Sequence, residues 1–568
     1  MAGSYLKCDT VLDIPYTSFP DLLKRRAVET PNKAACVFFY ENNERYVLAF
    51  GDLYDRATKF AKALVQMGVK RGDIIGVSGR NVPEWLVAYF GVQMAGGCSL
   101  CLPFQQNETQ IIALLKSIGD VKLLIIDAGT GGQNCQYVKN ILDESLESGD
   151  LDSGKVLGLQ QVILFNHNEG LPSLHNVVDM CSQDVGVDLP RIDPEDMAII
   201  LLSSGSTGLP KAIPYSQHAL VIFACHCVNV YQTNNEDAVF YNDRAFFWAA
   251  GHPCWEIGGG KTRVTMTNAL HTSSMADAVE TACKIMTREK ATQAFLVPSV
   301  LDLIIKNGFP LKIQRISTGS MVVKSSMLEC IGKICDEFQN IYGTTELALI
   351  GSRIYTVNDK PLVNQGVVSC RPDPGVEVKV TDDEGFVQPI GQRGKIWIRT
   401  IRRFTGYLNH TFSPELTEYI IRSGWFSHDD GGYITKDNSL IIEGRNQEMI
   451  EVLGRKIYPI EIEDVIKSKS NVIAAIVVPI KERETGHFVP SAAVVYRPQG
   501  EDSVESMQRY LRKQFNITAE DHLNEYLYVP SVIISVKEFP ILANGKPNRK
   551  AVSQLIFDKI DSQRYDTS

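Results

Sequence analysis

The sequence predicts an α/β fold: a large N-terminal region of βαβ-type sheets packed with helices, followed by a small α+β C-terminal domain. Three observations carry the expectation. Residues 50–77 run helix, turn, strand: Leu53, Ala57, Phe60, Ala61 and Leu64 recur at helical spacing, Gly68 stops them, and Ile74-Ile75-Gly76-Val77 follows. The apolar run MAIILL at 197–202 has the length of a buried strand and leads directly into SSGSTGLPK. The C-terminal stretch alternates again, with strands expected at 472–479, 491–496 and 532–536 and a charged helix at 503–515.

Between these landmarks, residues 85–104 carry no charge over a length that would cross a bilayer. Gly96-Gly97 divides them, so a helix over 84–95 and a short buried strand over 98–102, stopped by Pro103, are expected instead. The polar, Gly-rich segments 127–134 and 145–155 read as surface loops, and no repeat of fixed period is visible. The polar GRNQE at 444–448, between two apolar runs, marks the expected boundary: 1–444 for the large domain and 445–568 for the small one.

A hydrophobic content of 44% and a charged content of 22% over 568 residues describe a folded soluble chain rather than a disordered or fibrous one. Sixty-six acidic residues against 57 basic ones give a net charge of -9, which excludes a protein built to grip nucleic acid or an anionic membrane through a global positive field. Thirteen cysteines, an odd number without a disulfide-rich module, point to a reducing compartment. The start MAGSYLKCDT lacks the apolar core of a secretory signal, and the end YDTS is neither a prenylation box nor Ser-Lys-Leu, so the expected setting is cytoplasmic. The sequons at Asn107, Asn409 and Asn516 are then chance matches. Cys98 and Cys101 read as core cysteines, because a zinc site needs a second pair, and the adjacent Cys225-His226-Cys227 cannot all face one metal. No pattern fixes an oligomeric state.

The segment 203–211 carries the chemistry. Its glycines Gly205 and Gly208 let backbone approach a ligand closely, Ser203, Ser204, Ser206 and Thr207 offer hydroxyl donors, and Lys211 adds a point charge, the composition of a phosphate cradle. It is not a Walker A loop, whose lysine follows the last glycine directly; Gly260-Lys261-Thr262 comes nearer but has Trp255 where the upstream glycine belongs. Asn544-Gly545-Lys546, taken alone, reads as a hairpin turn with a solvated lysine.

Five separated motifs give the chain a wider resemblance: SSGSTGLPK from Ser203, YGTTE from Tyr342, GWFSHDDGGY from Gly424, GRNQEMIEVLGRKIYPIEIE from Gly444 and PILANGKPNR from Pro540. Together they resemble the adenylate-forming superfamily of acyl-CoA synthetases, adenylation domains and beetle luciferases, most closely a fatty or aryl acid:CoA ligase, and family-like text runs over nearly the whole chain. The resemblance implies ATP and Mg²⁺ as cofactors and coenzyme A as co-substrate. It implies that the 203–211 loop holds the β- and γ-phosphates, that Thr345 and Glu346 face the α-phosphate and the metal, and that Tyr342, with Gly343, Thr344 and Gly319 nearby, packs on the adenine. The alternative for Glu346 is a carboxylate at a helix start. Asp430 would accept hydrogen bonds from the ribose hydroxyls with Arg445 assisting, while Asp429 would be an exposed turn acid. Lys546 would reach the substrate carboxylate and the α-phosphate, offsetting charge in the transition state. The small domain would turn about a hinge at Gln447, and Gly454, Arg455 and Lys456 would line the coenzyme A channel or stand in solvent.

Departures from the family pattern are Gln447, where Asp or Lys is usual, Ala212 for a glycine and Leu542 for a threonine. The acyl-pocket regions read Phe246-Phe247-Trp248 and Thr318-Gly319-Ser320-Met321, so Phe247, Trp248 and Ser320 are expected to line a pocket for an apolar acid, unless the aromatics are plain core. The expected activity is ATP-dependent activation of a fatty or arylalkanoic acid followed by thioester formation, a step in lipid metabolism. Its alternatives are a luciferase-like or carrier-protein-loading adenylating enzyme, or a catalytically silent nucleotide-binding relative. Partners are small molecules alone: acid, ATP and coenzyme A.

Overall fold

A computed structural model describes residues 3–104, 108–127, 158–166, 172–181, 186–203, 210–231, 237–267, 275–362, 366–402, 404–410, 413–452, 455–481, 488–498, 500–540 and 547–565. The chain divides into two compact units. One comprises Leu6–Val378 and Ile398–Phe426; the other comprises Met1–Tyr5, Lys379–Trp397 and Ser427–Ser568.

The larger unit holds two sheets covered by helices. A six-stranded sheet runs Gln161–Leu164, Val121–Ile126, Ile74–Ser78, Cys98–Leu102, Met197–Ser203 and Lys211–Ser216 in spatial order. All neighbours are parallel except the last pair, where Met197–Ser203 and Lys211–Ser216 run antiparallel with Ser203 opposite Lys211. A nine-stranded sheet places Cys335–Thr344 between Ile313–Gly319 and Ala348–Tyr355. Parallel strands sandwiched by helices are buried on both faces, which is why Cys98–Leu102 reads as a run with only Ser99 polar and every residue in it is buried.

The expected helix–turn–strand is present as helix Phe50–Gln66 and strand Ile74–Ser78, and the helix buries Leu53, Ala57, Phe60, Ala61 and Leu64 on one face. The uncharged 85–104 region resolves into helix Pro83–Met94, with Pro83 in its first turn where a missing N–H costs nothing, and strand Cys98–Leu102. Gly96 makes the break at φ +86°, a conformation a side chain resists. Among the described residues no helix is long and apolar enough to cross a membrane. Cys98 and Cys101 are buried free thiols of the core strand, as expected. The expected loops at 127–134 and 145–155 lie outside the described residues save Asp127, which is buried and ion-paired at 2.7 Å with Arg80.

In the smaller unit, strands Val472–Lys481, Phe488–Tyr496 and Val532–Ser535 form a three-stranded sheet packed by helices Pro459–Lys467, Val504–Gln514, His522–Tyr528 and Arg549–Tyr565. The expected charged helix starts at its cap: Ser503 Oγ accepts from the Ser506 N–H at 3.2 Å. Strands Asp430–Ile434 and Leu440–Arg445 pair antiparallel, and a short 3-10 turn, Asn446–Glu448, carries the chain on to Ile450–Val452.

Candidate active site

The predicted site residues fall into two sets, one in each unit. In the larger unit the phosphate-loop motif bridges two strands: Ser203 ends Met197–Ser203 and Lys211 opens Lys211–Ser216. Ser204, Gly205, Ser206, Thr207 and Gly208 lie outside the described residues. The return strand is pinned by Asn409, whose Oδ1 accepts the Ala212 N–H at 2.8 Å while its Nδ2 donates to the Pro210 carbonyl at 3.0 Å. The Leu408 N–H also donates to the Ala212 carbonyl at 2.9 Å.

YGTTE occupies the end of Cys335–Thr344 and the turn into Ala348–Tyr355. The helix-start alternative for Glu346 is therefore incorrect: the residue sits in a turn between antiparallel strands, because a register shift at Tyr342/Gly343 and Ala348 at φ +61° close the chain on itself. A Cβ on Gly343 would lie 2.5 Å from the Ala348 carbonyl, so only glycine fits that close approach. Glu346 is fully buried and its Oε1 accepts from the Tyr407 hydroxyl at 2.9 Å. Lys211 Nζ stands 4.9 Å above the ring of the same Tyr407, and Tyr215 donates to the Thr345 carbonyl at 2.6 Å. Burial pushes the Tyr215 phenol up to about 12, against the pull of Arg402, so it stays a donor at neutral pH.

The structure thus brings Lys211, Thr345 and Glu346 into one patch through Tyr215, Tyr407 and Asn409, three residues that sequence reasoning missed. In the sequence Asn409 stands out only as a sequon; its hydrogen bonds reach back nearly two hundred residues along the chain. The buried Arg402, stacked 3.3 Å from the Tyr215 ring centroid, was missed too.

The two candidate acyl-pocket regions divide. Phe246 is core, fully buried against Phe38 and Trp85, with the Arg263 guanidinium 4.7 Å from its ring. Phe247 and Trp248 are only half-buried. The neighbouring His252 is buried, and burial together with Arg263 pulls it down to about 3, so it is a neutral ring at physiological pH. Gly319 ends strand Ile313–Gly319, Ser320 takes the left-handed φ of +70°, a strained position for a side chain, and Met321 is exposed.

In the smaller unit Asp430 and Arg445 lie opposite each other across an antiparallel pair, with Arg445 Nε 3.1 Å from Asp430 Oδ1. Asp430 is buried and Arg445 half-exposed. Asp429, expected as a solvated turn acid, is instead half-buried at φ +67° and ion-paired with Lys395 at 3.3 Å, because the turn folds back over the strand that carries that lysine. Gln447 is exposed in the 3-10 turn Asn446–Glu448. Arg455 and Lys456 lie on the short strand Arg455–Ile457, paired with Ile450–Val452, while Gly454 and Lys546 lie outside the described residues. The residues flanking Lys546 are tied together: the Asn548 N–H donates to the Pro540 carbonyl at 2.7 Å.

No group of three or more histidine, cysteine, aspartate or glutamate side chains could hold a metal ion among the described residues. The buried carboxylate of Glu346, with one oxygen held by a phenol, fits Mg²⁺, which binds through one or two carboxylates and otherwise keeps substrate phosphates and waters.

Known proteins share this architecture. At 24% identity the chain resembles acetyl-coenzyme A synthetase 2 of Candida glabrata, covering 94% of this chain and 81% of that one. It is 23% identical to indoleacetate–CoA ligase of Aromatoleum aromaticum, covering 94% and 98%. The fold matches a solved anthranilate CoA ligase in complex with anthranoyl-AMP with a TM-score of 0.77 at 19% identity, over 96% of this chain and 98% of that one. The model of the AMP-binding enzyme family matches residues 23–408, which include the serine-rich loop, the YGTTE turn and the Tyr407 clamp, and the chain belongs to that family.

Proposed function

We propose that the protein is an acid:CoA ligase that activates a fatty or arylalkanoic acid. An acid oxygen attacks the α-phosphorus of ATP, the bond to pyrophosphate breaks, and an acyl adenylate forms. The thiol of coenzyme A then loses its proton, its sulfur takes the acyl carbon, and AMP leaves. The observation that carries this reading is the patch in which Lys211, Thr345 and Glu346 meet through Tyr407 and Tyr215.

Each residue has a role that follows from its chemistry. Lys211 and the 203–208 hydroxyls and amides hold the β- and γ-phosphates. The Thr345 hydroxyl donates to the α-phosphate, its backbone carbonyl being fixed by Tyr215. Mg²⁺ bound at Glu346 would neutralise charge gathering on the phosphates. Asp430 accepts from the ribose hydroxyls, and Arg445, 3.1 Å away, keeps that carboxylate aimed. Tyr342 stacks on the adenine beside Gly319, Gly343 and Thr344. Lys546 supplies the ammonium that offsets charge on the attacking carboxylate.

The same reading divides the chain into 1–444 and 445–568, turning at Gln447, with Gly454, Arg455 and Lys456 toward coenzyme A. Phe247 and Trp248, half-buried where Phe246 is core, support an apolar acid, with Ser320 at the pocket edge. The name of the indoleacetate relative favours an aryl group. A cytoplasmic setting is supported by the free cysteines.

The test is a panel of fatty and arylalkanoic acids offered with MgATP and coenzyme A, products read by mass spectrometry. The account expects acyl-CoA, AMP and pyrophosphate with at least one apolar acid. Adenylate that accumulates and never passes to coenzyme A would favour a carrier protein as acceptor.

A further inference from the structure

Arg402 is a cation placed where a folding protein gains little from it. The residue is 5% exposed, and its guanidinium carbon stands over the Tyr215 ring, 3.3 Å from the centroid. Nη2 donates to the Pro214 carbonyl at 3.1 Å. Nε and Nη1, on two different edges of the plane, have no hydrogen-bond partner among the described residues. A buried guanidinium with unused donors is costly, and native proteins keep such groups rare. Burial pulls its pKa below the ordinary guanidinium value, with Tyr215 and Glu346 acting in the opposite direction.

Its surroundings say what those donors are kept for. Pro214 and Tyr215 belong to the strand Lys211–Ser216, which continues from the serine-rich loop. Tyr215 spans from the Arg402 plane to the Thr345 carbonyl, and Tyr407 spans from Lys211 to Glu346. Two cations, Lys211 and Arg402, therefore border one carboxylate, and that carboxylate fits a divalent metal. With the metal in place the patch carries more positive charge than a monoanionic acid neutralises. A polyphosphate has enough charge, and its oxygens suit a planar guanidinium that donates from more than one edge.

We propose that Arg402 is a phosphate-binding residue for the pyrophosphate end of ATP, a role that rests on the nucleotide-activating reading above. Tyr215 positions it by stacking, and Pro214 fixes its rotation. The ligand supplies the missing acceptors, so the cost of burying the charge is recovered when ATP or pyrophosphate binds.

The test compares binding of MgATP, magnesium pyrophosphate and AMP by calorimetry on the full chain, for the wild type, Arg402→Met and Arg402→Lys. Met keeps the volume and removes the charge; Lys keeps the charge and loses the planar donors. Arg402→Met is expected to weaken MgATP and pyrophosphate roughly ten- to a hundredfold, with AMP held within about threefold, and Arg402→Lys to follow in the same order with a smaller loss. If AMP weakens in step with ATP, or if neither variant changes pyrophosphate binding, the proposal is overturned. Should the Met variant fail to fold, the Lys variant decides by the same criteria. Absence of adenylate formation with any acid would remove the ligase reading but leave this three-ligand comparison readable.

Discussion

Asp373 is the residue at which pH meets the fold. It is buried, it accepts from the Ser352 hydroxyl at 2.7 Å, and burial pushes its carboxyl up to about 7 against that hydrogen bond. A carboxyl raised above its unfolded value contributes most below the unfolded pKa, and the contribution is lost as pH rises through the folded one. The wild type should therefore lose stability relative to Asp373→Asn by about 1 kcal/mol per pH unit between pH 5 and pH 7, read from denaturation midpoints at a series of pH values. Parallel curves for the two proteins would show that the fold does not raise the Asp373 carboxyl above its unfolded value. Single residues also mark the limit of sequence reading. Glu346 and Asp430 stand in motifs whose residue order announces them, whereas Tyr215, Tyr407, Asn409 and Arg402 acquire their roles from partners far along the chain. An isolated tyrosine or arginine carries no local trace of such a partner.

At the scale of elements the packing is carried by alternation and caps, and these are local. Helix Phe50–Gln66, strand Cys98–Leu102 and strand Met197–Ser203 are legible because apolar spacing and length set their type, and Gly96 and Pro103 bound the first of these strands. The YGTTE turn was less legible, since its closure needs the register of two strands as well as its own residues. Helix Arg549–Tyr565 is anchored by a contact no periodicity shows. Arg549 reaches Glu463 on helix Pro459–Lys467 at 2.7 Å and donates to the Val477 carbonyl at 2.8 Å. Burial alone would raise the Glu463 carboxyl; Arg549, Lys467 and the Val477 N–H outweigh it and hold it down to about 2. A depressed carboxylate stabilises fully above its unfolded pKa and loses that contribution as pH falls toward 2. Arg549→Met should cost roughly 3 kcal/mol and move acid unfolding of the smaller unit to higher pH, followed by circular dichroism. An unchanged acid midpoint would mean the pair contributes nothing.

For the whole molecule the account requires two reactions in one chain. The larger unit carries the phosphate loop and the Glu346 turn; the smaller carries Asp430, Arg445 and the segment with Lys546. The sequence reading sets the boundary at GRNQE, between 444 and 445, whereas the strands Asp430–Ile434 and Leu440–Arg445 group with the C-terminal segment. Grouping by contact and turning about a hinge are separate properties, and the proposed hinge at Gln447 is a statement about the second. The most direct measurement is of the two half-reactions in Lys546→Ala: acid-dependent exchange of labelled pyrophosphate into ATP, and thioester formation from supplied acyl adenylate and coenzyme A. The account predicts that the variant loses exchange by a hundredfold or more, on the order expected for removing one preorganised charge from a transition state, while thioester formation stays near the wild-type rate. Exchange that survives the substitution, or equal loss in both reactions, would contradict it.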